Sequence, residues 1–142
     1  MLVLDTNVLS ELMKPQSSGE VSSWLEMQEP SQLFTTAITQ AEILSGIATL
    51  PAGKRRRAIG AAAQAMFTDD LEGRVLAFDG LAAASYAEIF ARRRAAGRPA
   101  ATLDLMVAAI ALSHGASIVT RDVSGFEGFG LAVVNPWVRG GT

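Results

Sequence analysis

The chain has 142 residues, of which 49% are hydrophobic and 18% are charged, and its formal net charge is −2. This size suits one domain with its own core, and the apolar content excludes an intrinsically disordered chain. Because the chain has no cysteine and a single histidine, zinc–thiolate sites, iron–sulfur clusters, disulfide scaffolds and two-histidine motifs are excluded. Any metal ion would therefore be held mostly by oxygen, as Mg²⁺ and Mn²⁺ are.

Short apolar segments alternate with helical segments along the chain. The predicted strands are residues 2–4, 33–35, 75–78, 117–120 and 131–134. The predicted helices are residues 7–13, 21–25, 38–50, 54–70, 80 to 94 or 96, and 103–113. This alternation predicts a single α/β domain over residues 1–142, with a central parallel sheet of about five strands flanked by helices and a frayed tail at 139–142.

The N-terminus has neither the basic segment nor the cleavage site of a signal peptide. The longest apolar stretches, such as residues 105–112, are much shorter than the ~20 residues that a membrane span requires. We therefore expect a cytoplasmic protein without a membrane partner.

Two aspartates follow predicted strands. Asp5 comes directly after the first strand, and Asp122 lies two residues after the fourth. Sites in parallel α/β sheets form at the carboxyl ends of strands, so strands flanking the switch point would bring these side chains together. Each also has a local interpretation, in which Asp5 caps the helix that begins near Asn7 and Asp122 is a turn residue.

Asp104 is the only polar residue between Leu103 and Leu112. Burying an unpaired carboxylate costs several kcal/mol, and a helix N-terminus returns only about 0.3–1 kcal/mol. The sequence offers no basic partner nearby, whereas a divalent cation would supply the missing charge. Glu42 lies opposite the apolar arc of its predicted helix, so it either faces water or lines a ligand site.

Several carboxylates meeting at one point repel one another and persist around a cation. The residues alone therefore indicate a Mg²⁺- or Mn²⁺-dependent phosphoryl-transfer or hydrolysis site. Eight of the 12 basic residues lie in two stretches, residues 54–57 and 92–98. These stretches are either solvated helix ends or phosphate-binding surfaces.

Four segments in this order resemble the PIN-domain ribonucleases, and more narrowly the VapC-type toxins of type II toxin–antitoxin systems, in their FitB-like branch. The segments are Leu-Asp-Thr-Asn-Val-Leu-Ser-Glu-Leu (4–12), Thr-Gln-Ala-Glu-Ile-Leu-Ser-Gly-Ile (39–47), Thr-Leu-Asp-Leu-Met-Val-Ala-Ala-Ile-Ala (102–111) and Ile-Val-Thr-Arg-Asp (118–122). The closing Val-Val-Asn-Pro-Trp (133–137) is also similar to this branch.

The resemblance implies a metal-dependent endoribonuclease that leaves a 5′-phosphate. It implies that four acidic residues share one pocket for Mg²⁺ or Mn²⁺, namely Asp5, Glu42, Asp104 and Asp122. Asp5 and Asp104 would be direct ligands and Asp122 the next, while Glu42 would act through water. Hydrogen bonds from Thr6, Asn7 and Thr120 would support the pocket. Many relatives carry Asn at the position of Asp122 and Asp at that of Gly125, so this chain differs there.

The resemblance also implies partners. Such toxins form homodimers through helices and bind a VapB- or FitA-like antitoxin, which inserts a segment, often with an arginine, into the acidic pocket. DNA would be contacted only through the antitoxin, in a complex that represses its own operon. RNA would be the substrate, guided by basic residues that include Arg92, Arg93 and Arg94.

Two alternatives remain. Phosphatases of the haloacid-dehalogenase type also have an aspartate after the first strand, but they need a second two residues later, where this chain has Asn7. The other alternative is a catalytically weak subunit whose main role is to complete the antitoxin's DNA-binding repressor complex. Retention of all four acidic residues favours the enzyme, and divalent-metal binding would discriminate between the two.

Overall fold

The computed structural model describes residues 1–138, so the frayed tail predicted at 139–142 lies outside the described residues. The strands are β1 (Leu2–Leu4), β2 (Leu33–Thr36), β3 (Val75–Leu76), β4 (Ser117–Val119) and β5 (Val133–Val134). The helices are α1 (Thr6–Leu12), α2 (Gly19–Glu26), α3 (Ala37–Ala48), α4 (Lys54–Ala65), α5 (Gly80–Ala95) and α6 (Thr102–Ser113). Short 3-10 turns cover Pro30–Gln32 and Ser124–Phe126, and a π-helical turn covers Met66–Asp70.

All five strands form one parallel sheet in the order β3-β2-β1-β4-β5. Leu2 of β1 is in register with Leu33 on one side and with Ser117 on the other. The chain therefore adds β2 and β3 on one side of β1 and then crosses to the other side of β1, where β4 and β5 follow. The predicted α/β fold and parallel sheet are confirmed, and β1 and β4 flank the switch point.

Helices cover both faces of the sheet, and β1 shows why. Val3 packs into one core cluster together with residues of α5 and α6, whereas Leu4 packs into a second cluster with residues of α1, α3 and α4. Successive side chains of a strand point to opposite faces. A fully apolar strand such as β1 is consequently buried on both sides, as is typical of parallel sheets.

The predicted elements differ from the structure mainly at the two edges of the sheet and at the end of α4. The strands β3 and β5 are edge strands of two residues each, shorter than the predicted 75–78 and 131–134. An edge strand has a partner on one side only, so its ladder ends as soon as that partner diverges. The helix predicted over 54–70 leaves α-helical geometry after Ala65, and the wider π turn places Met66 and Phe67 together in the core.

Within residues 1–138, no helix is both long enough and apolar enough to cross a membrane.

Candidate metal centre

Asp5 lies at the carboxyl end of β1, where only 7% of the residue is exposed. Its position is the N-cap of α1, yet its side chain makes no capping hydrogen bond, so the local interpretation does not explain it. Burial raises the pKa of Asp5, and the charge of Asp122 adds to this effect. The backbone N–H of Thr6 and the hydroxyl of Thr120 act in the opposite direction and lower that pKa.

Thr120, the residue after β4, links three parts of the site through one buried hydroxyl. Its Oγ1 donates to Asp5 Oδ2 at 2.8 Å. The same oxygen accepts from Asn7 Nδ2 at 3.2 Å and from the backbone N–H of Asp122 at 3.0 Å. Asn7 Oδ1 in turn accepts from the backbone N–H of Arg121 at 3.1 Å. The start of α1 and the end of β4 are thereby joined.

Asp122 is exposed, and its carboxylate closes a local turn. Oδ1 accepts from the backbone N–H of Gly125 at 3.2 Å and from Ser124 Oγ at 3.3 Å. This is the turn role that the sequence allowed. The charge of Asp122 also reaches the site, because it contributes to the raised pKa values of both Asp5 and Asp104.

Asp104 lies in the first turn of α6 and is half-buried. Burial raises the pKa of Asp104, and the charges of Asp5, Asp122 and Glu42 raise it further, in that order. Among residues 1–138, an ion pair joins Lys14 to Glu11, whereas Asp104 has no basic partner. The charges of the other three acidic residues predicted from the sequence thus all act on Asp104.

Glu42 completes the group from α3. It does not simply face water, because it is half-buried and its Oε1 accepts from Thr6 Oγ1 at 3.0 Å. Helix α1 packs against α3, which is why the polar side of α3 meets the first residue of α1. Thr6, Asn7 and Thr120, the three predicted supporting residues, all make hydrogen bonds at this site.

The donor set fits a hard divalent cation, since it consists of carboxylates with no thiolate or imidazole. In the described part of the chain, however, no three acidic or histidine side chains are close enough to form a ready-made coordination sphere. The carboxylate donor set is of the kind that Mg²⁺ takes, with one or two carboxylates bound directly and several waters kept. The chemistry of the donor set, and not a preformed coordination sphere, is therefore what fits such an ion.

The three arginines near the end of α5 do not share one environment. Arg92 and Arg94 are exposed, but Arg93 is 8% exposed. Its guanidinium lies 4.2 Å from the ring centre of Phe129 and donates through Nη2 to the carbonyl oxygen of Gly125 at 3.3 Å. The expectation that Arg93 offers a free charge to RNA is therefore wrong, because helical periodicity turns this residue inward.

The contact between Arg93 and Gly125 has no clear signal in the sequence. Gly125 stands out there only as a difference from related sequences, and three consecutive arginines do not indicate which one is buried. The fold alone brings the end of α5 against the turn after β4.

Residues 2–127 match the family model described as PIN domain. The chain belongs to the PIN-domain family. This PIN domain is 42% identical over 137 residues to VapC ribonuclease Y4jK of Sinorhizobium fredii, covering 96% of this chain and 98% of that protein. It is 36% identical over 137 residues to Toxin FitB of Neisseria gonorrhoeae, covering 96% of this chain and 99% of the relative.

Solved structures give the same assignment. The PIN domain matches a chain of the structure of FitAB bound to an IR36 DNA fragment with a TM-score of 0.90 and 36% identity. That match covers 97% of this chain and 96% of the other. The likeness to the VapC and FitB proteins that the sequence indicated is confirmed and extends over nearly the whole chain.

Proposed function

We propose that this PIN domain is a divalent-metal-dependent endoribonuclease that hydrolyses RNA phosphodiester bonds and acts as the toxin of a type II toxin–antitoxin pair. The observation that carries the proposal is the convergence of three negative charges on Asp104, a half-buried carboxylate without a basic partner in residues 1–138. Relatives named VapC ribonuclease and Toxin FitB support the reaction and the biological role.

The acidic residues divide the work according to their surroundings. Asp5 and Asp104 would hold Mg²⁺ or Mn²⁺, with Asp122 as a further ligand. When bound, the ion supplies the positive charge that activates water and stabilises the leaving oxygen of the phosphodiester. Thr120 donates to Asp5 Oδ2, which would fix the orientation of this carboxylate for the ion.

Glu42 would orient the attacking water and accept its proton. Thr6 Oγ1 donates to Oε1 of Glu42, which would hold the carboxylate in one orientation for this role. Arg92 and Arg94 are exposed near the end of α5, and they would bind phosphates of the RNA backbone, since a carboxylate cluster by itself repels them.

The proposed partners are a FitA- or VapB-like antitoxin and a second copy of the chain. An arginine of the antitoxin would fit the acidic cluster, because a guanidinium binds carboxylates in a bidentate manner. DNA would be bound through the antitoxin, as the match to FitAB on a DNA fragment suggests. Exposed apolar side chains of the helices would form the dimer contact, among them Leu44, Phe90 and Leu103. Light scattering of the purified chain checks whether it forms a dimer.

A second candidate is a catalytically weak subunit that serves mainly to complete a repressor complex. Two observations favour it: the solved FitAB match is bound to DNA, and no three acidic side chains within residues 1–138 form a ready-made coordination sphere. This candidate predicts that Mg²⁺ and Mn²⁺ have no effect that depends on the carboxylates.

The test is cleavage of total cellular RNA by the purified chain with Mn²⁺ or Mg²⁺, with and without EDTA. Asp104→Asn is the active-site variant. Asp69→Asn is the matched control, because Asp69 is an exposed carboxylate in the turn after α4. Metal-dependent cleavage that Asp104→Asn loses and Asp69→Asn keeps supports the proposal. Equal cleavage by all three proteins contradicts it, and absence of both cleavage and metal binding favours the second candidate.

A further inference from the structure

The turn that follows β4 holds Asp122 in a space that only glycine leaves open. A Cβ on residue 125 would lie 2.5 Å from Asp122 Oδ2 and 3.0 Å from its Cγ. Gly125 does not adopt a positive φ, so backbone strain does not explain the glycine. The carboxylate of Asp122 occupies the place of the missing side chain, and the N–H of Gly125 donates to its Oδ1 at 3.2 Å.

Arg93 reaches the same glycine from the opposite side. Its Nη2 donates to the carbonyl oxygen of Gly125 at 3.3 Å, and its guanidinium stacks 4.2 Å from the ring centre of Phe129. Both polar backbone atoms of Gly125 are thus engaged, one by a guanidinium and the other by a carboxylate. The two peptide planes that meet at Gly125 are therefore each held by a side chain.

Burying the charged side chain of Arg93 in this space costs free energy. The residue is 8% exposed, its Nε has no hydrogen-bond partner in the described structure, and no acidic residue among 1–138 pairs with it. Well-packed apolar side chains are often at least as stabilising as buried charges. An apolar side chain could therefore fill this space, and what the arginine adds is the contact with the Phe129 ring and a directed hydrogen bond to Gly125.

We infer that Arg93 is a positioning residue for Asp122 and acts through Gly125. The inference deepens the proposed function, since it rests on Asp122 serving the metal site. Arg93 fixes the carbonyl side of Gly125, and the N–H of Gly125 fixes Oδ1 of Asp122, so the orientation of the whole carboxylate depends on this turn. Arg93 itself touches neither the ion nor RNA.

The experiment measures Mn²⁺ binding by calorimetry and thermal stability in Arg93→Met, which keeps side-chain length and apolar packing but removes the donor. We expect the Kd for Mn²⁺ to rise about tenfold, the usual effect of losing a partner that orients a metal ligand. The melting temperature should be unchanged or higher, because an unpartnered buried Nε is removed. Asp122→Asn should raise the Kd similarly, and the double variant should bind no more weakly than Asp122→Asn alone.

Arg74→Met is the matched control. Arg74 also donates from its guanidinium to backbone carbonyl oxygens, at 2.9 Å to Leu33 and also to Asp70, but it precedes β3 at the far edge of the sheet. Its loss should lower the melting temperature and leave the Kd for Mn²⁺ unchanged. Gly125→Ala is the complementary variant, in which a Cβ displaces Asp122 and weakens Mn²⁺ binding without touching Arg93.

Amide exchange of the Gly125 N–H gives a readout that needs no metal. Faster exchange in Arg93→Met together with weaker Mn²⁺ binding supports the inference. A variant with wild-type exchange and wild-type Kd, or a double variant whose effects add, overturns it. If the wild-type chain binds no Mn²⁺, the proposed function fails. In that case faster exchange of the Gly125 N–H in Arg93→Met still supports the role of Arg93 in positioning the turn. Unchanged exchange overturns that role.

Discussion

Replacing the buried hydroxyl of Thr120 tests the hydrogen bonds beneath the acidic cluster. Thr120→Val keeps the shape of the side chain but removes a donor to Asp5 Oδ2 and an acceptor for Asn7 Nδ2 and the N–H of Asp122. A hydrogen bond to a charged group contributes about 1.5–3 kcal/mol and a neutral one about 0.5–1.5 kcal/mol. Asp122 is exposed and Asn7 half-exposed, so water replaces part of the two neutral bonds.

The expected loss in the free energy of unfolding is therefore about 3 kcal/mol at neutral pH, dominated by the bond to Asp5. For a chain of this size that corresponds to a fall in melting temperature of roughly 10 °C. Urea denaturation followed by circular dichroism measures it. Thr120→Ser is the matched control, because it keeps the hydroxyl and removes one methyl group, which costs about 1 kcal/mol.

The pH dependence separates this bond from general packing. The Thr120 hydroxyl lowers the pKa of Asp5, so it stabilises the ionised carboxylate. The penalty of Thr120→Val should accordingly shrink as the pH falls through the pKa of Asp5, where the folded chain is protonated. A Thr120→Val variant no less stable than Thr120→Ser at pH 7, or a penalty equal at pH 4 and pH 7, would refute the reasoning.

Three further predictions concern the charges at and near the site. Burial and like charges raise the pKa of Asp104 above its ordinary value of 3.8. The contribution of Asp104 to stability is therefore fully present below that value and is lost as the pH rises through the pKa of the folded chain. Without divalent ions, Asp104→Asn should melt at a higher temperature than the wild-type chain at pH 7 and at the same temperature near pH 4. Mn²⁺ at 100 times its Kd should raise the free energy of unfolding of the wild-type chain by about 2.7 kcal/mol and that of Asp104→Asn by clearly less. Equal stabilisation of the two proteins would place the ion elsewhere. Replacing the exposed Arg92 and Arg94 by Gln should weaken RNA binding. The slope of log K against log salt concentration should fall by about 0.7 for each phosphate of a single strand that the variant no longer neutralises. An unchanged slope in filter-binding measurements would exclude a phosphate-binding role for these two arginines.

The central strand and helix were predictable from the sequence because segments this apolar must be buried inside the domain. A short apolar run such as Leu2–Leu4 must be covered on both faces, and a helix as apolar as Thr102–Ser113 must lie inside the domain, with its single carboxylate in need of positive charge. Asp5 and Asp122 followed from the rule that sites form at the ends of strands around the switch point. These inferences depend on local sequence and topology alone.

Glu42 and Arg93 were not predictable in the same way, since their environments depend on which helices meet. A helical wheel places Glu42 opposite the apolar arc of α3, but α1 packs there and Thr6 supplies a donor. Arg92, Arg93 and Arg94 are identical in type, and only the docking of α5 against the turn after β4 selects one for burial. Periodicity gives the direction of a side chain from its own helix axis, but it does not give the neighbour in that direction.

The acidic cluster works against the stability of the fold that carries it. Burial and mutual repulsion raise the pKa of Asp5 and of Asp104, so the ionisation of either group favours unfolding. The hydroxyl of Thr120 offsets part of this at Asp5, and a positive charge placed among the carboxylates would offset it more fully. A divalent ion and an arginine of a protein partner are competing ways to supply that charge, so a partner that fills the cluster should both raise the melting temperature and abolish its dependence on Mn²⁺. If a bound partner left the Mn²⁺ shift intact, it would have to act from another surface, and inhibition would then come from excluding RNA and not from occupying the metal site.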